Sequence, residues 1–356
     1  MIPFNLFNDL GYLDIPAIRK YMQKNRIPFC WMWAGRGTGK TYGVLKDELQ
    51  RGEKFMFVRR TDKQIKLIMN PQYMPFKALN IKEGTNIQPK SIGAGMYGFF
   101  HCDNDPDTGK LIYHEPMIAP AAAVSTVGNI RGFSGDDLDL MFYDEFIPIR
   151  GERPLRNEAG NLFDLYETIN RNRELDGRDP LYFIGASNSN NPDNPYFTEL
   201  GVLNKALKMG MSHDNEAYIN KKAGFMLLCI NKSPISEEKR DTALYRLTSG
   251  SDYERMALDN EFVNIDTENV QSQNLQHYNP VVAIGGICVY RAKNGRRYYV
   301  SEHIKGNPER FTTTEINLAR FQRRYDYLRN AYFSDQITFE SHLTERLFQV
   351  YTKSIS

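Results

Sequence analysis

Short apolar runs alternate with amphipathic stretches along the first half of the chain. An apolar run bounded by turn residues is typical of a buried strand, and apolar residues at helical spacing are typical of a helix packed against a sheet. The alternation predicts an α/β protein with a central, mostly parallel sheet flanked by helices. The predicted strands are Pro28–Trp33, Lys54–Arg59, Met96–His101, Lys110–His114, Asp139–Tyr143 and Leu181–Ala186, and the predicted helices are Lys40–Arg51, Lys63–Met69 and Leu162–Arg173.

The pattern changes after residue 200. Residues 203–260 are more helical and predict a connector. Further on, strand-like runs flank an Asn294-Gly295 pair, which is a strong hairpin signal. The predicted elements there are strands Val281–Arg291 and Arg296–Val300 and helices Glu315–Tyr332 and Phe339–Tyr351. We therefore expect a first domain over residues 1–205, a linker or lid over 206–262 and a small α/β domain over 263–356.

Composition narrows the class of protein. The 356 residues exceed what one compact domain usually holds, and 41% hydrophobic with 25% charged residues is ordinary for a globular chain. A net charge of +2 excludes a highly basic tail protein. The four cysteines are far apart and form no CxxC pair, which favours a reducing compartment over a zinc site or a disulfide framework. With no signal-like start and no apolar run of bilayer length, we expect a chain that is neither secreted nor membrane-spanning.

Residues 34–41, the phosphate loop, nearly fit the pattern G-x-x-x-x-G-K-[ST], with Ala34 in place of the first glycine. An apolar strand enters the loop and a helix-compatible run leaves it, which is the required context. Glycines allow a nest of backbone N–H groups, and the helix N-terminus favours anions. We predict that Lys40 reaches the β- and γ-phosphates of ATP and that the Thr41 hydroxyl ligates Mg²⁺. The predicted nucleotide-binding residues are Gly35, Arg36, Gly37, Thr38, Gly39, Lys40 and Thr41.

Two adjacent carboxylates end a second apolar strand. Asp144 is suited to hold Mg²⁺ through its water shell, and Glu145 to activate the attacking water. Alone, an Asp-Glu pair often just begins a turn. About a hundred residues after a phosphate loop, the pair indicates the ATPase class in which an extra strand lies between these two elements and a glutamate polarises water.

Three further polar residues have both a functional and an ordinary interpretation. Asn188 follows the strand Leu181–Ala186 and is a candidate sensor of the γ-phosphate, although the polar run after it also suits a simple loop. Arg171 and Arg173 end a predicted helix, where a cation either offsets the helix dipole or takes part in catalysis.

These segments occur in an order that resembles the large-terminase and DNA-packaging ATPases of tailed phages, most closely the short packaging ATPase of phi-twenty-nine-type podoviruses. The similarity extends over nearly the whole chain, although the C-terminal third is matched by pattern more than by residues. The segments that carry it are Gly35–Thr41, Phe57–Arg60, Tyr143–Ile147, Arg171–Glu174, Ser187–Asn188 with Asn194–Phe197, and the connector Glu254–Phe262.

The resemblance implies a homo-oligomeric ring, pentameric in close relatives, that pumps double-stranded DNA into a preformed capsid through its portal. It implies an arginine that reaches the neighbouring subunit's ATP site, for which Arg171 is the match and Arg173 the alternative. A lysine that acts between subunits in a relative falls on Asp62, with Lys63 beside it, so this role stays open. Arg36 is implied to contact phosphate or a neighbouring subunit.

The C-terminal domain resembles a vestigial ribonuclease-H-like nuclease. Such nucleases need several carboxylates for two metal ions, whereas residues 281–300 contain no Asp or Glu, so we expect nuclease activity to be absent. Between residues 281 and 330, ten Lys or Arg face four acidic residues. This excess suits duplex DNA, a packaging RNA or the portal, or is a solvated charged face. The candidate nucleic-acid contacts are Arg291, Lys293, Arg296, Arg297, Arg323 and Arg324.

The leading functional prediction is an ATP-driven motor for double-stranded viral DNA, with hydrolysis at sites between subunits. We expect it in the cytoplasm of the infected bacterium and transiently on the prohead. The alternatives are a helicase-like ATPase stimulated by nucleic acid, a nucleotide-gated structural adaptor without turnover, and a terminase with an active nuclease.

Overall fold

The computed structural model describes residues 2–93, 96–130, 132–133, 135–148, 152, 155–188, 194–212, 214–260 and 269–352. The chain divides into two compact units. The first comprises Met1–Glu199 and Ala206–Val263, and the second comprises Leu200–Lys205 and Asn264–Ser356. Within the described residues, no helix is both long enough and apolar enough to cross a bilayer.

The first unit is built on a nine-stranded sheet with helices on it. Its strands are β1 (Phe29–Ala34), β2 (Lys54–Arg59), β3 (Ile87–Gly93), β4 (Met96–Asn104), β5 (Leu111–Ala123), β6 (Leu138–Asp144), β7 (Tyr182–Ser187), β8 (Glu216–Asn220) and β9 (Phe225–Ile230). Its helices are α1 (Ile15–Asn25), α2 (Lys40–Arg51), α3 (Asp62–Ile68), α4 (Lys77–Glu83), α5 (Glu158–Asn170), α6 (Pro195–Glu199), α7 (Leu203–Gly210, which starts in the second unit), α8 (Pro234–Arg240), α9 (Ala243–Leu247) and α10 (Asp252–Leu258), with a 3-10 helix at Val124–Ile130.

The strand order is β3-β4-β5-β2-β6-β7-β1-β9-β8. The six strands from β5 to β9 in this order pair in parallel, while β3, β4 and β8 add antiparallel edges. The central strands are apolar along nearly their whole length because helices cover both faces of a parallel sheet. Strand β7 lies between β1 and β6, so the predicted α/β class with an extra strand between the phosphate loop and the Asp-Glu pair is confirmed.

Several predicted boundaries differ from the structure. The helix predicted over Leu162–Arg173 spans Glu158–Asn170, because Arg171 adopts a φ of 46° that leaves the helix. The strand predicted at Lys110–His114 continues to Ala123, where small buried alanines pair with β2 and β4. Helix α1 was not predicted, although Asp14 caps its first turn and Pro16 lies within that turn, which is a typical helix start.

The described part of the predicted linker over 206–262 belongs to the first unit. Its apolar run Phe225–Ile230 is fully buried and pairs in parallel with β1. A linker cannot form there because six consecutive buried residues supply a sheet strand rather than a solvent-exposed connection. Residues 261–268, which include the end of the connector and the predicted domain boundary, lie outside the described residues.

The second unit is a mixed five-stranded sheet with helices. The single strand predicted over Val281–Arg291 is a hairpin, since Gly285 and Gly286 turn the chain with φ of 54° and 99°. The helix predicted over Glu315–Tyr332 is broken near Tyr325, and the start of the last predicted helix is strand. The elements are β10 (Tyr278–Ile284), β11 (Ile287–Ala292), β12 (Tyr298–Ser301), β13 (Glu309–Phe311), β14 (Ile337–Phe339), α11 (Glu315–Arg324), α12 (Tyr327–Phe333) and α13 (His342–Thr352), with a 3-10 helix at Leu275–His277. The strand order is β13-β10-β11-β12-β14.

Candidate functional site

The phosphate loop connects β1 directly to α2, as the sequence predicts. Helix α2 begins at Lys40, and the residue before it, Gly39, has a φ of 89°, a conformation that glycine adopts without strain. The backbone N–H of Leu13 donates to the Thr38 carbonyl at 3.0 Å, so the N-terminal segment also holds the loop. The loop is therefore a strand-to-helix turn of the kind that binds phosphate at a helix N-terminus.

The ammonium group of Lys40 is buried inside the loop. It donates to the carbonyls of Ala34 and Gly35 at 3.0 and 2.9 Å and to Oδ1 of Asn188 at 3.0 Å. Burial lowers the pKa of Lys40 to about 7, although the carboxylates of Asp144 and Glu145 oppose this shift. The structure thus brings together Lys40 and Asn188, which lie 148 residues apart in the sequence.

The Thr41 hydroxyl donates to Oδ1 of Asp144 at 2.9 Å. Asp144 ends β6 and is only 2% exposed, and burial raises the pKa of its carboxyl while Arg59 opposes the shift. A hydroxyl and a carboxylate side by side are the oxygen ligands that Mg²⁺ takes from proteins. The residues at this position therefore fit a magnesium ion.

Glu145 turns away from the sheet directly after Asp144. Its φ is 59°, its backbone N–H donates to the Ala186 carbonyl at 2.7 Å, and its side chain is 49% exposed. Arg59, at the end of β2, pairs with Oδ2 of Asp144 at 2.7 Å and also pairs with Glu145. The sequence does not assign Arg59 a role because the neighbour relation of β2 and β6 that creates this contact is a property of the sheet.

A cavity of about 730 Å³ opens above the loop. This volume is within the usual range for small-molecule sites. One wall of the cavity is formed by the N-terminal segment together with α2 and α4, and the sequence does not predict it. In this wall Tyr42 and Lys46 of α2 both donate hydrogen bonds to Glu83 of α4. Among its lining residues are the predicted Arg36, Gly37, Thr38, Gly39, Lys40, Thr41, Asp144, Glu145 and Asn188.

Arg171 and Arg173 lie away from this cavity. Leu181, before β7, donates its N–H to Oδ1 of Asn170, so the end of α5 lies at the amino end of β7, whereas the phosphate loop follows the carboxyl end of the parallel strand β1. The exposed Arg171 donates to the Phe133 carbonyl at 3.1 Å. Arg173 is 5% exposed and donates to the Gly135 carbonyl at 2.6 Å. Of the two arginines, Arg171 has the accessible side chain.

Two further positions implied by the resemblance lie at the start of α3. Asp62 pairs with Lys66 at 2.6 Å, and its N–H donates to the Ser125 hydroxyl at 3.0 Å. Lys63 is exposed. The polar run after Asn188, at residues 189–193, lies outside the described residues.

The candidate nucleic-acid contacts of the second unit are all exposed. Arg324 pairs with Glu309 at 3.1 Å at the end of α11. Nearby tyrosines also contact one another: the ring centroid of Tyr327, which is 44% exposed, lies 6.2 Å from that of Tyr298 and 6.1 Å from that of Tyr325. The exposed basic residues are Arg291, Lys293, Arg296 and Arg297, at the end of β11 and in the turn to β12, and Arg323 and Arg324, at the end of α11.

Comparison with known proteins identifies the class. The chain belongs to the family of podovirus DNA encapsidation proteins (Gp16), whose match covers residues 108–304. It is 28% identical over 239 residues to the DNA packaging protein of Bacillus phage B103, covering 64% of this chain and 62% of that protein. It is 24% identical over 239 residues to the DNA packaging protein of Bacillus phage phi29, covering 64% of this chain and 60% of the relative. The match thus spans less than two thirds of the length of these relatives.

Solved structures confirm the fold. A chain of the bacteriophage Phi-29 viral genome packaging motor assembly superposes with a TM-score of 0.64 at 18% identity, covering 98% of this chain and 100% of that chain. The Phi-28 gp11 DNA packaging motor gives a TM-score of 0.63 at 18% identity, covering 95% and 97%. The resemblance drawn from the sequence motifs and the predicted fold class are both confirmed.

Proposed function

We propose that the protein is an ATPase that drives double-stranded viral DNA into a preformed capsid. The observation that carries this proposal is the convergence of Lys40, Thr41, Asp144, Glu145 and Asn188 at one cavity on the carboxyl edge of a parallel sheet. Ligands bind at this edge in open α/β sheets, and these five side chains are the types that phosphoryl transfer to water requires.

Each side chain has a role in this proposal. Lys40 binds the β- and γ-phosphates of ATP, Asn188 orients Lys40 and senses the γ-phosphate, and Glu145 accepts the proton of the attacking water. Thr41 and Asp144 would hold Mg²⁺, which would neutralise part of the phosphate charge. Because Glu145 is paired with Arg59 in the structure, it must leave that ion pair, or share it, to reach a water molecule.

Arg171 completes the site of a neighbouring subunit in a homo-oligomeric ring, which we propose to be a pentamer when assembled on the capsid. Its exposed side chain on the sheet edge opposite the cavity supports this role, because Arg171 does not reach the site of its own subunit. Arg173 has a structural role instead, since its buried guanidinium bonds the Gly135 carbonyl.

Duplex DNA and the portal are the proposed partners, and a packaging RNA remains a third. Support comes from the membership in the podovirus DNA encapsidation family, the two relatives named DNA packaging protein, and the exposed basic residues of the second unit.

We propose that nuclease activity is absent. The described strands of the second sheet contain one carboxylate, that of Glu309. It forms an ion pair with Arg324 and accepts a hydrogen bond from the Tyr325 hydroxyl. The protein would act in the cytoplasm of the infected bacterium, transiently on the prohead.

The test is DNase protection of genomic DNA by purified empty proheads with ATP and Mg²⁺. We expect protected, genome-length DNA with the wild-type protein and none when Glu145→Gln replaces it. ATP turnover without protection would contradict the motor function. Preferential stimulation by single-stranded DNA would favour a helicase-like ATPase, absence of turnover would favour a structural adaptor, and plasmid cleavage in Mn²⁺ that is lost on deleting the second unit would reveal an active nuclease.

A further inference from the structure

Lys239, near the end of α8, contacts the phosphate loop at Arg36, which lies 203 residues earlier in the sequence. Its ammonium donates to the carbonyl of Arg36 at 2.8 Å. The position that a Cβ on Gly37 would take lies 1.8 Å from Nζ of Lys239, so the loop has room for this ammonium because residue 37 lacks a side chain. Gly37 also has a φ of 77°, which disfavours any other residue.

A second contact joins the loop to the same part of the chain. The N–H of Arg36 donates to the carbonyl of Ala257, in α10, at 2.9 Å. Both peptide groups of Arg36 are therefore bonded to the lid segment, which we define as residues 234–260. Arg240, next to Lys239, pairs with Glu254 at 3.1 Å and with Asp259, so α8 and the end of α10 are held together. The lid segment therefore binds the backbone of Arg36 through α8 and α10, two helices that ion pairs hold together.

The charges around the loop suit a polyanion. Asp144 and Glu145 are engaged by Arg59, whereas Lys239 and Arg36 both lie close enough to Lys40 to repel its positive charge. Like charges held together in a partly buried site favour a bound anion, whose phosphates relieve the repulsion. The half-buried position of Lys239 weakens screening by solvent.

We propose that Lys239 is a positioning residue for nucleotide binding: it fixes the Arg36–Gly37 peptide so that the loop is pre-formed for the α- and β-phosphates, and it links the lid segment to occupancy of the site. This proposal rests on the ATPase function proposed above. Because Lys239 acts on the loop, its removal weakens binding of ATP and ADP alike. Because it lies on α8, loss of the contact also uncouples the lid segment from the nucleotide.

The test measures binding of fluorescent ATP and ADP analogues, together with kcat and KM for phosphate release, in Lys239→Met, Lys239→Arg and wild type. Met keeps the apolar stem and removes the charged donor. We expect Kd for both nucleotides to rise about tenfold or more in Lys239→Met, the loss expected for one charged hydrogen bond. In Lys239→Met the KM should rise in parallel with Kd, while kcat should change by less than about threefold. Lys239→Arg should restore part of the nucleotide affinity.

Lys232→Met is the matched control, since Lys232 lies in the same region but is exposed and faces Asp214 at 3.9 Å. It should bind nucleotide as wild type does. Unchanged Kd in a folded Lys239→Met protein would overturn the proposal, and so would a loss limited to ATP, which would place Lys239 on the γ-phosphate. Failure of the wild type to bind nucleotide would instead contradict the ATPase function.

A double-mutant cycle measures the coupling between Lys239 and Gly37 in nucleotide binding, which a lysine with a purely structural role would not show. Gly37→Ala places a methyl group where the Lys239 ammonium lies, so it removes the contact that Lys239→Met removes and adds backbone strain at a φ of 77°. Their effects on Kd should be clearly less than additive in the double variant. Additive effects would show that the two residues act independently and would overturn the proposal.

Discussion

Lys40 donates a hydrogen bond to Asn188 at 3.0 Å, joining the phosphate loop after β1 to the carboxyl end of the neighbouring strand β7. The same ammonium also bonds the carbonyls of Ala34 and Gly35. Lys40 is thus held by carbonyls of its own loop and by the side chain of Asn188. A phosphate must form stronger bonds with Lys40, between two charged groups, to displace these neutral acceptors.

Lys40→Ala should lower ATP turnover at least about a hundredfold, because the buried cation that contacts the phosphates is lost. Phosphate release and nucleotide binding would be measured in parallel. Lys66→Ala is the matched control, since Lys66 is exposed on α3 and pairs with Asp62. Near-normal turnover in Lys40→Ala would contradict the assignment of the loop.

Glu145→Gln should bind ATP and DNA like the wild type but hydrolyse ATP about 10²–10⁴ times more slowly, the range for loss of a general base. The measurement is single-turnover hydrolysis beside equilibrium binding. Glu167→Gln, an exposed glutamate on α5, serves as the control. Hydrolysis at the wild-type rate would assign the base to another group.

Arg171→Ala should lower kcat by about 10³–10⁵ while leaving the fold intact, because the exposed guanidinium is proposed to stabilise the transition state in a neighbouring subunit. Mixing Lys40→Ala with Arg171→Ala subunits should then restore part of the activity, since some interfaces pair an intact loop with an intact arginine. No recovery in rings shown to be mixed would contradict action between subunits.

Arg173→Ala should chiefly lower the unfolding temperature, because its contact with Gly135 is buried.

The site was largely predictable from the sequence because its chemistry lies next to strand ends. The loop before Lys40, the Asp144-Glu145 pair and Asn188 each follow an apolar run, and parallel strands bring their carboxyl ends together. Arg59 and Lys239 were not predictable as site residues. Their contacts depend on which strand lies beside β6 and on where the lid segment folds back, and neither relation has a local signal.

The fold was predicted best where strands are continuously apolar. Strand β2 and helix α2 have the predicted bounds, whereas β8 and β9 lie in a region whose surrounding helical stretches predict a connector. In the second unit, Gly285-Gly286 forms a hairpin turn, so the run Val281–Arg291, which looks like one strand, is divided between β10 and β11. Pairing partners, rather than local propensity, decide such cases.

Arg60→Ala should destabilise the first unit by about 3–5 kcal/mol, since it leaves the fully buried Glu158 without its cation. Arg60 pairs with Glu158 at 2.6 Å, and Tyr196 donates its hydroxyl to the same carboxylate at 3.0 Å. Thermal unfolding should shift down on the order of 10 °C. Arg51→Ala, which breaks a partly exposed pair with Asp47, is the control and should cost about 1 kcal/mol or less. An unfolding temperature equal to that of the wild type would contradict a stabilising role for the Arg60–Glu158 ion pair.

Replacing Arg296 and Arg297 together with alanine should weaken binding to duplex DNA without changing basal ATP turnover. Both side chains are exposed in the turn between β11 and β12, and phosphate contacts contribute to affinity through release of counterions. Each lost phosphate contact should lower the slope of log affinity against log salt by about 0.9. Titration of duplex DNA at several salt concentrations measures this slope, with Lys221→Ala/Lys222→Ala, two exposed lysines of the first unit, as the charge-matched control. An unchanged slope together with loss of prohead binding would assign this basic turn to the portal or to an RNA on it, because the same charges would then serve a different partner.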